Sequence, residues 1–305
     1  MPLGGMMGVP NLKTEHVLEA MKMLRGPSIK LIPLSAGEES RVYLLFEDGR
    51  EYILRVNRSN FGFKKDAFAH KHFHSASLPI PAVLAIGDLD GTHSFCITAR
   101  IHGTTLQDLS QEEVRYTLQP TANIMRCIRE CDISRTRGFG PFDQHGIGLH
   151  SSWRSFLQSP VHQEWAGISY LVWSTAIQPA LEKLLRLSEK AQDIRSLVHG
   201  DFGSNNVLSD GCSITGIIDW SEAMIGDPLY DVANIFFWRT WLNCMDQQAT
   251  FLEDALDLNE NMRKRLLCYQ LHIGLREVNE SAIREDRTAI LWAVARVEDI
   301  LRQLN

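Results

Sequence analysis

Three polar residues recur at a fixed interval in "LVHGDFGSNNVL": His199, Asp201 and Asn206. His-x-Asp-x-x-x-x-Asn is a spacing used for phosphoryl transfer, which needs an in-line nucleophile, a divalent cation on the phosphates and a carboxylate near the attacking hydroxyl. The letters Asp-Phe-Gly at 201–203 offer Asp201 a rival role, that of the metal carboxylate. That role would require another His-x-Asp…Asn about twenty residues upstream. Residues 175–195 read "TAIQPALEKLLRLSEKAQDIR", a helical pattern with no such motif. Downstream, the apolar run of "TGIIDW" ends in Asp219, thirteen residues after Asn206. Asp201 is therefore the expected catalytic base, Asn206 and Asp219 the expected metal ligands, and His199 a support for the loop. The ordinary alternative is a polar loop beside a strand that buries one Asp.

These residues need elements to hold them. Thr14 can cap a first helix reaching about Leu24. From Ile29 to Ile101 the pattern is strand-like: "VYLLF", "EYILRV", "AVLAIG" and "SFCITA" are short apolar or alternating runs, and Asp48-Gly49 and Asp90-Gly91 separate neighbours as hairpin turns do. One helix, about 64–75, interrupts them. After Gly103 helical periodicity takes over, at about 110–131, 162–190, 228–256, 259–280 and 282–303. Residues 132–155, with "RGFGPF" and "HGIG", read as loop, and two short strands flank Asp210-Gly211. The expected architecture is α+β and bilobal. An antiparallel, β-rich N-terminal lobe with a helical extension spans 1–98, a linker 99–103, and a mainly helical lobe 104–305.

In the first lobe, "LSAGEESRVYLLF" suits a strand–turn–strand over phosphates, with Gly37 and Ser40 as contacts. Arg55, in "YILRV", stands where a strand cation would meet phosphates, and Asp66 on the next helix is its candidate partner; a surface charge is the alternative. In "GDPLYDVANIFFW", Pro228 suits a first helical turn. Asp231 follows it, either buried against the catalytic loop's backbone or solvated and favoured by the helix dipole.

Together these residues resemble the aminoglycoside phosphotransferase family, which has a protein-kinase-like fold. The resemblance runs through "LSAGEESR", "YILRVN", "LPIPAVLAIG", "GTTLQDL", "GFGPF", "LVHGDFGSNNVL", "IDWSEAM" and "ANIFFWR". It covers most of 34–245 and is weak before 30 and after 280. "GFGPF" and "IDWSEAM" narrow it to the hygromycin type. It implies ATP and Mg2+, with Asp201 as base, Asn206 and Asp219 on magnesium, and adenine on the backbone of Ala99 and Ile101. It places the ion pair over the α/β phosphates on Arg55 and Asp66. Both depart from a Lys–Glu pair, and Arg forks bidentately where Lys is a point charge. It aligns Asp231 with the family's loop anchor. The implied activity is transfer of the γ-phosphate to a hydroxyl of an aminocyclitol antibiotic, hygromycin B foremost, with resistance as the consequence.

A polycationic, hydroxyl-rich acceptor asks for carboxylates and flat aromatic surfaces. Asn205 and Glu222 flank the catalytic residues, Trp238 and Trp241 lie three apart on one expected helix face, and Glu277 and Glu280 lie one turn apart on a late helix. Core packing is the alternative for the tryptophans, and solvation for the glutamates. The chain has 305 residues, 44% apolar and 22% charged, with net charge −6. No Lys/Arg-rich run points to nucleic acid, and no apolar stretch is long enough for a membrane span. The start, "MPLGGMMGVP", lacks the pattern of a signal peptide. Six scattered cysteines suit reduced thiols. A cytoplasmic monomer is expected. His70, His72 and His74 share too little of one helix face to suggest a metal site. Two other functions stay in view: a kinase of a metabolite such as choline, homoserine or a sugar, and a nucleotide-binding module without catalysis.

Overall fold

The computed structural model describes residues 10, 12–34 and 40–304. Gly37 lies outside them. Helix α1 (Thr14–Arg25) is followed by β1 (Lys30–Pro33), β2 (Arg41–Glu47), β3 (Arg50–Asn57), α2 (Phe61–Phe73), β4 (Val83–Asp88) and β5 (Ser94–Ala99). The five strands make one antiparallel sheet in the order β1-β2-β3-β5-β4. Asp48 and Gly49, with φ of 50° and 75°, close the β2–β3 hairpin, a left-handed pair that suits a two-residue turn between twisted strands. Val17, Ala20 and Met21 of α1 bury themselves with Tyr43, Leu45, Leu54, Val56 and Ile97 to give this sheet its own core.

Beyond the linker come β6 (Thr104–Thr105), α3 (Gln111–Arg129), β7 (Phe139–Phe142), β8 (Gly148–His150), α4 (Trp153–Leu157), α5 (Tyr170–Val172) and α6 (Gln178–Ser188). Then follow β9 (Ser196–Val198), β10 (Val207–Ser209), β11 (Ile214–Ile217), β12 (Met224–Gly226), α7 (Leu229–Trp238), α8 (Asn243–Ala255), α9 (Glu260–Ile283) and α10 (Arg287–Gln303). The architecture is the α+β arrangement that the periodicities imply. A second, larger core joins these helices, and α2 adds Phe68, Ala69 and Phe73 to it, so that helix is anchored beyond its own sheet. Buried Asp227 pins the start of α7 to α9: it accepts from Arg265 Nε at 2.8 Å, Tyr269 Oη at 2.6 Å and its own Leu229 N–H at 3.1 Å. Among the described residues no helix is long and apolar enough to cross a membrane.

Four stretches differ from their sequence expectation. "RGFGPF" and "HGIG" are not plain loop: β7 and β8 pair, and β7 also pairs with β12 in the sheet β8-β7-β12-β9. Their glycines permit this, since a Cβ on Gly138 would lie 2.9 Å from the Gly148 carbonyl oxygen. The helix expected over 162–190 starts at Tyr170, capped by Ser169, and passes through a π turn at Trp173–Ile177. The pattern over 228–256 is two helices broken at 239–242. The last helix begins at Arg287, where the Asp286 carboxylate accepts the N–H groups of Thr288 and Ala289, both at 3.0 Å.

Gly226 ends β12 with its Cα flush on the ring of fully buried Trp153, leaving no room for a Cβ. Gly226→Ala should therefore destabilise the fold by about 3 kcal/mol, the upper end of ordinary overpacking costs, read as a lower midpoint in chemical unfolding. An unchanged midpoint would show that this packing is looser than described.

Candidate functional site

The loop that carries Asp201 hangs from one carboxylate. Asp231, in the first turn of α7, is buried and accepts the backbone N–H of His199 and of Gly200, each at 2.9 Å. Of the two roles open to it, this is the loop-anchoring one. Burial pushes its carboxyl up, to about 7, against those two donors. Gly200 needs its left-handed φ of 86°, because a side chain there would run into the Glu222 carbonyl. Fully buried His199 offers Nε2 to the Ile218 carbonyl at 3.1 Å, while Nδ1 stands 3.4 Å from the Asp201 N–H. One nitrogen must donate and the other accept, which fits a neutral ring, and burial lowers its pKa to about 4. Phe202 is a core residue whose carbonyl accepts from Asn234 Nδ2 at 3.1 Å.

This leaves Asp201 exposed at the loop's tip, with Asn205 exposed close by. The Asn206 amide nitrogen donates to the Asp201 carbonyl at 2.9 Å and to its carboxylate at 2.8 Å. With that nitrogen committed twice, the amide oxygen of Asn206 is the atom a hard cation can take. The Asn206 carbonyl accepts from the Ile218 N–H at 3.0 Å, so the loop is tied to the residue preceding Asp219.

Asp219 has φ 57° and ψ 75°, a left-handed conformation uncommon outside glycine. Its Oδ1 lies 3.8 Å from Arg55 Nη1, and Arg55 Nη2 pairs with Asp66. Asp66 also accepts the Trp220 N–H at 2.7 Å. Burial works against the Arg55 charge, but Asp66 and Asp219 outweigh it and hold the guanidinium above its ordinary range. Arg55 is thus no surface charge. The oxygen donors Asn206 and Asp219 fit magnesium, which keeps several waters and is bound through one or two carboxylates plus substrate phosphates. Among the described residues no three His, Cys, Asp or Glu side chains group to hold a metal by themselves.

At the end of β3 away from Ala99, Ser40 Oγ accepts from Asn57 Nδ2 at 3.4 Å. The Ala99 N–H is used on the Ala82 carbonyl at 2.9 Å, and Ile101 packs against Gly216, where a Cβ would lie 2.9 Å from Cδ1. On the far side, Glu222 pairs with Arg276 at 3.0 Å, and Arg276 with Glu280 at 3.2 Å. Burial would raise the Glu222 pKa, yet Arg276 and Lys65 hold it low. Glu277, by contrast, pairs with Arg284 at 3.0 Å and accepts from Ser281 Oγ at 2.6 Å within its own helix end. Trp238 and Trp241 do not share a helix face, because α7 ends at Trp238. Trp238 stacks on Trp292 with centroids 4.8 Å apart, and Trp241 meets the same ring edge-on at 5.0 Å.

Sequence reasoning missed Lys65. Its ammonium is buried and donates to the Ala223 carbonyl at 3.0 Å and to the Ser221 carbonyl. Burial pushes its pKa down, to about 8, against Glu222 and Asp66. The available signal was helical spacing, since Phe61, Phe68 and Ala69 lie four before, three after and four after it, which turns Lys65 inward.

An antiparallel lobe carrying an Arg–Asp pair, set beside a helical lobe carrying a His-x-Asp-x-x-x-x-Asn loop, defines a phosphotransferase of protein-kinase-like fold. The chain belongs to the phosphotransferase enzyme family, which residues 30–268 match. It is 44% identical over 275 residues to Hygromycin-B 4-O-kinase of Escherichia coli, covering 89% of this chain and 80% of that protein. The structure of aminoglycoside phosphotransferase APH(4)-Ia superposes with a TM-score of 0.90 at 41% identity, covering 95% of this chain and 99% of that one. A thermostable mutant of APH(4)-Ia, in ternary complex with AMP-PNP and hygromycin B, superposes with a TM-score of 0.88 at 43% identity, covering 94% and 98%.

His199 makes a pH prediction. Its folded pKa of about 4 lies below its ordinary 6.5, so the stability it contributes is complete above pH 6.5 and is lost as the pH falls towards 4. The loss amounts to about 3 kcal/mol at most. Urea unfolding between pH 7 and 4 should show a shallower acid decline for His199→Gln than for the natural protein. Parallel declines would mean that His199 titrates normally in the fold.

Proposed function

We propose that this protein is an ATP-dependent O-phosphotransferase that transfers the γ-phosphate to a hydroxyl of hygromycin B or a closely similar aminocyclitol. The observation that carries the reading is the Asp201–Asn206 pair, an exposed carboxylate whose Oδ2 is held 2.8 Å from an amide nitrogen. Asp201 orients the acceptor hydroxyl and takes its proton as the new O–P bond forms and the γ-phosphorus parts from its β-bridging oxygen, releasing ADP. Asn206 and Asp219 would hold magnesium, whose charge would stabilise that on the phosphates. Arg55, kept in place by Asp66, would receive the phosphates, with Ser40 beside them. The Ala99 carbonyl and the Ile101 backbone take the adenine, since the Ala99 N–H is already used. The lobe of residues 1–98 thus serves the nucleotide and residues 104–305 the acceptor.

The acceptor class is supported by the hygromycin-B kinase activity that names the E. coli relative and by the hygromycin B in the APH(4)-Ia complex. Glu222 and Glu280, both paired with Arg276, offer carboxylates to a polycation, and exposed Asn205 offers an amide to its hydroxyls. Glu277 and Trp238 serve packing, and Trp241, about half exposed, is the tryptophan with surface to offer a sugar ring. The proposed setting is a monomer working in the cytoplasm, where ATP is supplied. Phosphorylating the antibiotic would make the protein a resistance determinant.

The test is ADP release with ATP, Mg2+ and a panel of acceptors. Hygromycin B should give turnover, and Asp201→Asn should lower kcat by ~10²–10⁴-fold with AMP-PNP binding little changed. Release with choline, homoserine or a sugar but not with hygromycin B would overturn the acceptor and keep the kinase. Near-normal turnover by Asp201→Asn would overturn the base.

A further inference from the structure

Among the described residues, Lys65 is the only buried lysine. Burying an ammonium is costly unless it is paired or fully hydrogen-bonded. Among the described residues no carboxylate is hydrogen-bonded to this one. Its partners are the Ser221 and Ala223 carbonyls, and its Nζ lies 5.2 Å from the Phe142 ring centroid and 5.9 Å from that of Phe61. A methionine of the same length would fill this space without the charge. What the charge adds is a grip on two carbonyls of one short turn.

That turn, Trp220–Glu222, starts from Asp219 in its left-handed conformation. A non-glycine residue held there costs on the order of 1–3 kcal/mol and persists only where its surroundings fix it. The surroundings are the first turns of α2. Asp66 takes the Trp220 N–H at 2.7 Å, and Lys65 takes the Ser221 and Ala223 carbonyls. Gly62 abuts Ser221 so closely that a Cβ on it would lie 3.1 Å from the Ser221 Cβ. Three residues of one helix thus fasten the four residues after Asp219, while Arg55 meets only the Asp219 side chain.

We propose that Lys65 is a positioning residue for phosphoryl transfer: with Asp66 it clasps the 220–223 turn and so sets the Asp219 carboxylate for a divalent cation. This rests on the reading of Asp219 as the magnesium carboxylate. The clasp acts through the backbone and presents nothing to the nucleotide itself. Losing it should weaken the metal-dependent part of nucleotide binding and leave the metal-free part alone.

Lys65→Met keeps the apolar stem and removes the ammonium. Calorimetric titration with AMP-PNP, in Mg2+ and in EDTA, separates the two parts. The natural protein should bind more tightly in Mg2+. Lys65→Met should lose ~10-fold of that gain, the usual scale for residues that orient metal ligands. Its EDTA affinity should stay within ~2-fold and its KM for hygromycin B within ~3-fold, while kcat falls ~10-fold or more. Gly62→Ala presses on the same turn without touching a charge and should lose a smaller share, ~3-fold, of the Mg2+ gain. It decides the matter if Lys65→Met does not fold. A folded Lys65→Met that keeps the full Mg2+ gain, or loses affinity equally in Mg2+ and EDTA, overturns the proposal. So does a Gly62→Ala that keeps the full gain when Lys65→Met does not fold. If the natural protein binds no AMP-PNP in either buffer, the kinase reading itself fails, and this proposal with it.

Discussion

The site depends on one buried acceptor. The Asp231 carboxylate, at the positive end of α7, takes the two N–H groups that β9 leaves unpaired as the chain turns at His199 and Gly200. Without it, two donors would lose their partner, at about 1–3 kcal/mol each when buried. The loop would then have to find other bonds and move. Each later position follows from this anchoring. The His199 ring reaches back to Ile218, Phe202 plugs into the core, and the chain between them has no path except through an exposed Asp201. Asp227, four residues earlier, anchors the other side of the same helix start through Arg265 and Tyr269. The N-terminus of α7 is thus clamped between α9 and the catalytic loop.

The second half of the site is set by a helix of the first lobe. α2 shares Phe68 and Phe73 with the larger core, so it does not move with the sheet alone. Its Asp66 faces both ways, to Arg55 on β3 and to the Trp220 N–H beyond Asp219. An arginine at 55 suits this arrangement better than a lysine would. Its fork reaches one carboxylate with each terminal nitrogen, Asp66 with Nη2 and Asp219 with Nη1 at 3.8 Å. The shorter Asp66, in place of a glutamate, fits the reach of the longer cation.

Much of this was legible in the sequence, and the reason is local. The interval from His199 to Asn206 is a property of one tight loop, and Asp219 ends an apolar run, so both could be read without a tertiary picture. The five-stranded sheet was legible because its hairpins turn at Asp-Gly pairs. The misses are tertiary. "RGFGPF" is irregular in composition, and becomes a strand only because β12 and β8 lie on either side of it. Trp241 continues the spacing of a helix that in fact stops at Trp238. Glu280, not Glu277, joins the Glu222 group, because the choice between them rests on where Arg276 and Arg284 point. For Lys65 helical spacing gives only the inward direction, and its grip on the Ser221 and Ala223 carbonyls is visible only in three dimensions.

The balance of charge at the site then has a consequence for what it can hold. Asp66, Asp219, Asp201, Glu222 and Glu280 outnumber Arg55, Lys65 and Arg276. The cations are the groups that are most buried or most fully paired. Lys65 is enclosed, Arg55 is split between two acids, and Arg276 lies between Glu222 and Glu280. The carboxylates with open surface are Asp201 at the loop tip and Asp219, with Glu222 partly exposed. A negative edge of this kind favours the arrival of positive charge. Divalent metal at Asp219 and an ammonium-bearing acceptor near Glu222 would each relieve it, at separate places. With a neutral hydroxyl acceptor only the place taken by the metal would be relieved. On electrostatic grounds alone, then, a polycationic aminocyclitol fits this edge better than choline's single charge or an uncharged sugar.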